Sequence, residues 1–185
     1  MKDIYLQFGN PSIKGESNDK DHAEWIEISS FKQSIHQPRS VTASTSGGHT
    51  SERTEHGAMI LTKDVDLVSP LLYQHSSGGT TFDEVTIDFM RADGEGNRVK
   101  YLEVKLKHVI ICDVETVAGL QIDAADSAEA ALDSSKQVST IPTDRFKLKY
   151  AAIQWKYTKQ KIGGNQNGVT QGAWSLTKND KTYSV

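Results

Sequence analysis

The side chains able to do acid–base, nucleophilic or metal chemistry are scattered along this chain. Its six histidines, His22, His36, His49, His56, His75 and His108, show no metal-ligand spacing. Asp64 with Asp66, and Asp123 with Asp126, are carboxylate pairs in polar contexts, as on a solvated face. Cys112 is the only cysteine, so no intramolecular disulfide can form, which fits folding in a reducing compartment. It follows Val109, Ile110 and Ile111, a setting for a small buried hydrophobe rather than an activated thiolate. There is no G-x-S-x-G elbow, no H-E-x-x-H and no phosphate-binding glycine loop. The pattern predicts no catalytic residue, no cofactor, no metal ligand and no enzyme.

Basic residues concentrate on two stretches, with Lys100, Lys105 and Lys107 on one and Lys147, Lys149, Lys156, Lys159 and Lys161 on the other. Such stripes raise the question of nucleic acid. The formal net charge of −3 and the lack of aromatic–lysine interleaving argue against it, so no nucleic-acid partner is expected. The stripes read as a solvated face, or as the complement of the acidic Asp19–Glu27 and Asp123–Glu129 stretches on a neighbouring subunit.

Strands must position these groups, because period-two alternation dominates the chain. Ile4, Leu6 and Phe8 share one face, as do Val85, Ile87 and Phe89, and Leu102, Val104 and Leu106. Trp25 to Gln37 reads as one long strand. Trp25, Phe31 and Ile35 lie in one phase, and Ile26 and Ile28 in the other. Alternation puts Ser30, Lys32, Ser34 and His36 together on one face of that strand. Phe146, Leu148 and Tyr150 give way to Ala151, Ile153, Trp155 and Tyr157, a change of phase that predicts a bulge or strong bend near Tyr150–Ala151. Asp93 to Asn97 reads as a hairpin turn, Gly163 to Gly168 as a loop, and Ala173 to Thr177 as a short last strand. One helix is predicted over 69–78, with Ser69 as N-cap, Pro70 at the first helical position and Gly78 just past the end. The result is an all-β, mainly antiparallel single domain over 1–185, closing into a barrel or a tight sandwich with one short helix.

Two polar stretches interrupt it. Residues 38–55 hold hardly any apolar anchor, and a loop of that length is functional or disordered. Residues 121–140 are acidic and Ala-rich, and form either a small helix or a mobile segment. Leu, Ile, Val and Phe number 41 of 185 residues, a thin supply for a core. The two stretches hold 38 residues and only four of that set, so the remaining 37 of 147 make an ordinary core. No apolar run is long enough to span a bilayer, and the N-terminus carries no apolar region of a signal peptide.

The run Lys14-Gly15-Glu16-Ser17-Asn18-Asp19-Lys20-Asp21-His22 resembles the haemolysin-coregulated (Hcp) family, which builds the tube of type VI secretion. Further segments match in order: Gln37-Pro38-Arg39-Ser40 with Gly47-Gly48-His49-Thr50, Lys63-Asp64 with Ser69-Pro70-Leu71 and Ser76-Ser77-Gly78, Val99 to Leu102, Leu106 to Val109, and Phe146 to Ala151 with Trp155 to Tyr157. The match covers roughly 1–118 and 141–177.

The resemblance implies a β-barrel of two sheets with one helix and a long extended loop at 38–55. It implies a homo-hexameric ring with a channel, and rings stacked into a tube. The tube is driven by a contractile sheath and tipped by a spike protein, and the channel carries effector proteins. The family leaves the bacterial cytoplasm through this machine without a signal peptide and without inserting into a membrane. Segment 121–140 departs from the family pattern as a variable insertion.

A ring needs a heterologous interface. The loop at 38–55, too polar to fold on itself, is expected to order against a neighbouring ring or subunit. Arg39, Ser46, Gly47, Gly48, His49, Glu52 and Arg53 are its candidate contacts, and Ser30, Lys32, Ser34 and His36 are candidates for the channel wall. The competing reading is a free-standing β-sandwich that binds a ligand, which predicts a monomer.

Overall fold

The computed structural model describes residues 3–38, 53–92, 98–118, 141–160 and 166–185. The turn at 93–97, most of the long loop and the 121–140 segment lie outside them.

Eleven strands and one helix form the described chain. In order they are β1 (Ile4–Phe8), β2 (Ile26–Ile28), β3 (Ser30–Lys32), β4 (Ile35–His36), β5 (Glu55–His56), β6 (Met59–Asp64), α1 (Ser69–Ser77), β7 (Thr81–Ala92), β8 (Arg98–Val117), β9 (Thr143–Lys149), β10 (Ala152–Gln160) and β11 (Gln166–Ser175). All pairings are antiparallel.

Nine strands make one sheet in the order β2-β1-β7-β8-β9-β6-β3, with β10 on β8 and β11 on β10; β4 and β5 form a separate ribbon at the root of the long loop. The all-β architecture with a single helix is as expected, but a closed barrel of two sheets is not formed. The sheet curls until its two end strands, β2 and β3, are successive pieces of one segment joined at Ser29. The chain itself bridges the gap, and no ladder of hydrogen bonds closes it.

That crossing also corrects the reading of 25–37 as one strand. Ile26 and Ile28 bury their side chains beside β1, and the chain then crosses to pair Ser30–Lys32 with Thr62–Ile60 of β6. The two phases of apolar residues record two different partners.

The longest strand, β8, is the spine. Leu102–Lys107 pairs with β10 along one edge, and Ile110–Val117 pairs with β9. The change of partner falls at His108, which is exposed and has φ 48°, a left-handed conformation uncommon outside glycine. Across from it, the chain breaks between β9 and β10 at Tyr150–Ala151, where the change of phase placed a bend. Tyr150 and Ala152 are both buried, so the break lets the buried face pass from one register to the other.

The curled sheet encloses Leu6, Phe8, Ile26, Ile28, Leu61, Phe82, Ile87, Leu106, Phe146 and Leu148, all almost fully buried. Each such side chain contributes roughly 1.5–3 kcal/mol of transfer free energy. Leu72 on α1 and Val68 before it join this core and dock the helix on β8, where Ser76 Oγ donates to the Ile111 carbonyl at 3.2 Å.

Three further expectations change. Cys112 is exposed, because the β8–β9 register shifts between Ile111 and Asp113 and turns it out of the alternation. Strand β11 starts at Gln166, well before Ala173, in a polar stretch that no apolar alternation marks. Ser69 is not the N-cap: Val68 holds that position, and Ser69 turns inward.

Candidate functional site

The segment Lys14–Trp25 folds as a clasp across β1 and β7. Gly15 is required by close approach, since a Cβ there would lie 2.2 Å from the Trp25 carbonyl oxygen. Its N–H donates to the Glu24 carbonyl at 2.7 Å, and the Ser17 N–H donates to that of Trp25 at 3.1 Å. Ser17 Oγ accepts from the Asp19 N–H, which sets the turn leading to His22. His22 is buried and stacks on Tyr5 with centroids 4.5 Å apart.

The His22 ring nitrogens face Asp19 Oδ1 at 3.1 Å and Asp88 Oδ2 at 3.0 Å. Lys100 Nζ reaches Asp88 Oδ2 at 3.1 Å, and Arg98 bridges Asp19 and Asp3. Burial would raise the Asp19 carboxyl, but hydrogen bonds from His22 and the Asp21 N–H, with the Arg98 charge, hold it below its ordinary value. The run that carries the family resemblance is thus a structural lock between a loop and two strands. Sequence reading missed His22 in this role, because its partner Asp88 lies 66 positions away.

A second lock sits where α1 meets the sheet. Lys63 and Asp144 are fully buried, with Lys63 Nζ 3.3 Å from Asp144 Oδ2 and 2.7 Å from Asp66 Oδ1. Ser69 Oγ accepts from Lys63 Nζ and donates to Asp144 Oδ2, while Tyr73 and Thr116 donate to Asp144 Oδ1 at 2.8 and 2.6 Å. Burial alone would raise the Asp144 carboxyl. The hydrogen bonds from Ser69, Thr116 and Tyr73, with the Lys63 charge, outweigh it and hold the group below its ordinary value. Asp66 is therefore an ion-pair partner rather than part of a solvated face.

The third cluster roots the long loop. The Trp155 indole N–H donates to Gln33 Oε1 at 3.0 Å, and Gln33 Nε2 donates to Tyr150 Oη at 3.3 Å. With its oxygen accepting there, Tyr150 gives its proton to His56 Nδ1 at 3.0 Å. Burial pushes the His56 imidazole below its ordinary value, consistent with a neutral ring that accepts. Gly57 follows at a point where a Cβ would lie 2.2 Å from Ser34 Oγ, so the ribbon β4–β5 is closed tightly at its base.

Ser30, Lys32, Ser34 and His36 are all exposed on β3, β4 and the link between them. Arg53 is exposed beside the β4–β5 ribbon. Arg39, Ser46, Gly47, Gly48, His49 and Glu52 lie outside the described residues, as do Asp123 and Asp126. Several lysines of the basic stripes are paired within the chain: Lys100 with Glu103 at 2.5 Å, Lys105 with Glu84 at 3.5 Å, and Lys147 with Asp113. Among the described residues no group of three or more His, Cys, Asp or Glu could hold a metal ion. No helix among them is long and apolar enough to cross a membrane.

Two concavities mark the surface. One, of about 770 Å³, is lined by charges of both signs, including Asp21, Asp88, Lys100, Glu103 and Lys156. The other, of about 510 Å³, lies against the loop root and is lined mainly by Ile35, His56, Trp155, Gly172 and Trp174. Neither brings a nucleophile against a base.

Residues 5–157 match the family described as type VI secretion system effector, Hcp. A similar curated protein is hcp1 of Pseudomonas aeruginosa, 27% identical over 178 residues, which are 96% of each chain. Among solved structures, a type six secretion system protein superposes with a TM-score of 0.78 at 20% identity, covering 98% of this chain and all of the other. Hcp1 of Salmonella typhimurium does so with a TM-score of 0.70 at 19% identity, again over 98% of this chain and 100% of its own.

Proposed function

The chain belongs to the Hcp family of type VI secretion effectors, and on that footing we propose that six copies close into a ring with a central channel and that rings stack into the secretion tube. A contractile sheath surrounds the tube, a spike protein tips it, and effector proteins travel in the channel. The chain acts first in the bacterial cytoplasm and leaves through the secretion machine without a signal peptide.

The family match over residues 5–157 carries this reading. The fold supports it physically. Two saturated polar locks and a curled sheet make a body stiff enough to repeat, and the exposed features are a polar stripe and a projecting root. Ser30, Lys32, Ser34 and His36 suit a channel wall, because hydrated short and cationic side chains give passing proteins little apolar surface to adhere to. Arg39, Ser46, Gly47, Gly48, His49, Glu52 and Arg53 are assigned to contacts between subunits or rings.

Negative-stain electron microscopy with light scattering tests the reading, and six-fold rings are the expected result. A clean monomer at high concentration, with a small molecule seated in the charged cleft, would overturn it in favour of a ligand-binding module.

A further inference from the structure

Two clusters of exposed apolar side chains sit at opposite ends of strand β6. Thr54 and His56, which precede it, line the groove with Ile35, Trp155 and Trp174. Val65 and Leu67, which follow it, sit with Leu71 of α1 and Ile141, the residue before Pro142, whose carbonyl accepts from the Val65 N–H at 2.8 Å. Five residue steps of strand separate the two ends by about 17 Å. Ile35 is 50% exposed and Leu67 64% exposed, so neither spends its apolar surface within the monomer. One cluster lines a concavity of about 510 Å³, a size that encloses ligand-scale groups, and the other stands on the helix end.

We propose that the apolar end beside α1 of one copy docks in the loop-root groove of the next, joining rings head to tail; this rests on the ring reading above. Opposite placement is what such a contact requires. A surface that meets a different surface at the far end of an identical molecule makes an open, repeating stack. The rims agree in charge. Glu16 and Asp66 border the helix end, with Glu16 Oε1 accepting from the Leu67 N–H at 3.0 Å. Lys181 lines the groove, and the exposed Arg53 adjoins its Thr54. The indole N–H of Trp174, a groove residue, is buried with no acceptor among the described residues. A backbone carbonyl brought in by the docking segment would satisfy it.

Cysteine cross-linking tests the contact in full-length chains carrying Cys112→Ser. Leu67→Cys and Ile35→Cys are made in separate chains, mixed at a concentration where rings form, and oxidised. The mixture is expected to give a mixed Leu67–Ile35 cross-link at least tenfold more abundant than either chain alone. A chain with both substitutions is expected to give a ladder running past six copies. Rings with no mixed cross-link would overturn the contact and leave the ring reading standing. A ladder ending at six would place the contact inside one ring and overturn the stacking. Self-pairing of Leu67→Cys as strong as the mixed product would overturn the heterologous geometry. Absence of rings in the unsubstituted protein would fell the ring reading first, and the stacking contact with it. As a check free of cysteine, Leu67→Asp is expected to abolish stacked rings while keeping single six-fold rings; stacks that persist would overturn the contact.

Discussion

The two ends of the β6–β9 ribbon carry polar clusters built on opposite plans. At the α1 end, Lys63 and Asp144 are fully buried and charged, and both Asp144 oxygens accept from several donors. At the loop end, Trp155, Gln33, Tyr150 and His56 pass neutral hydrogen bonds in single file, and His56 is only half-buried. A charge in low dielectric holds its partners in place, because every displaced partner leaves an uncompensated ion. A neutral chain is worth about 1 kcal/mol per link and can break at one link without stranding a charge. The first plan fixes a helix to the sheet for the life of the fold. The second holds a projecting element firmly enough to aim it and weakly enough to let it adjust to a neighbour.

Removing one partner from the charged cluster should have the largest effect. Lys63→Met leaves Asp144 buried without its cation and should cost about 3–5 kcal/mol in urea unfolding. The paired change Lys63→Met with Asp144→Asn should recover part of that loss. If the single substitution costs less than about 1 kcal/mol, the helix end is not the rigid half of the comparison.

Next in size is the clasp over β7. Gly15→Ala sets a Cβ against the Trp25 carbonyl, which is backbone and cannot rotate away. Forced repacking of this kind costs about 1–3 kcal/mol. The loss should appear in the unfolding midpoint together with a weakened His22 contact, read as changed imidazole chemical shifts. A neutral outcome would mean that the clasp yields as easily as the loop root does.

How far these regions were legible in sequence follows from the range of the forces that build them. Strands β1, β7 and β8 announce themselves because each presents alternate residues to one core. The bend at Tyr150–Ala151 was legible because the buried face changes phase there. The Lys63–Asp144 pair was not, because its partners lie 81 positions apart and each looks like an ordinary surface charge. Strand β11 was missed for a related reason: it pairs only with β10, at the rim of the sheet, and its Val169, Thr170 and Gln171 are all exposed, so no alternation marks it. The barrel expectation failed at Ser29 because alternation reports which side a residue faces, not which edge it pairs with. The family run at 14–22 was conspicuous as a motif, and its lock of Gly15, Asp19 and His22 became physical only with Asp88 and Trp25 in place.

Acid should separate the two clusters. The folded His56 prefers the neutral form, so the loop root is intact above the unfolded value of about 6.5 and weakens as pH falls from there through its lower folded value. Asp144 works the other way. Its folded carboxyl lies below 3.8, so the charged cluster is intact above that value and is lost only as pH falls beneath it. Between about pH 6.5 and 4 the loop root should loosen while α1 stays docked. Amide hydrogen exchange should show faster exchange at residues 35–36 and 55–56 at pH 5.5 than at pH 7.5, after correction for the intrinsic rate, with α1 unchanged. His56→Gln, which keeps an acceptor and cannot titrate there, should abolish the difference. Equal loosening at both ends would erase the contrast.

The smallest effect is expected at Cys112, and its smallness is informative. Composition places a lone cysteine after three aliphatic residues, where truncating it to Ser should bury a hydroxyl and cost 1 kcal/mol or more. The structure places it outside the alternation, on the exposed side of the register shift between β8 and β9, with Sγ 3.4 Å from the Lys147 carbonyl. Cys112→Ser should therefore change stability by no more than about 0.5 kcal/mol, the range of exposed substitutions. The thiol should also react fully with a water-soluble maleimide in the native state. A buried, unreactive Cys112 would mean that β8 runs through this point without a shift. Ile110 and Ile111 would then exchange faces, and the strand that joins the rigid end to the adaptable one would carry its load in a different register.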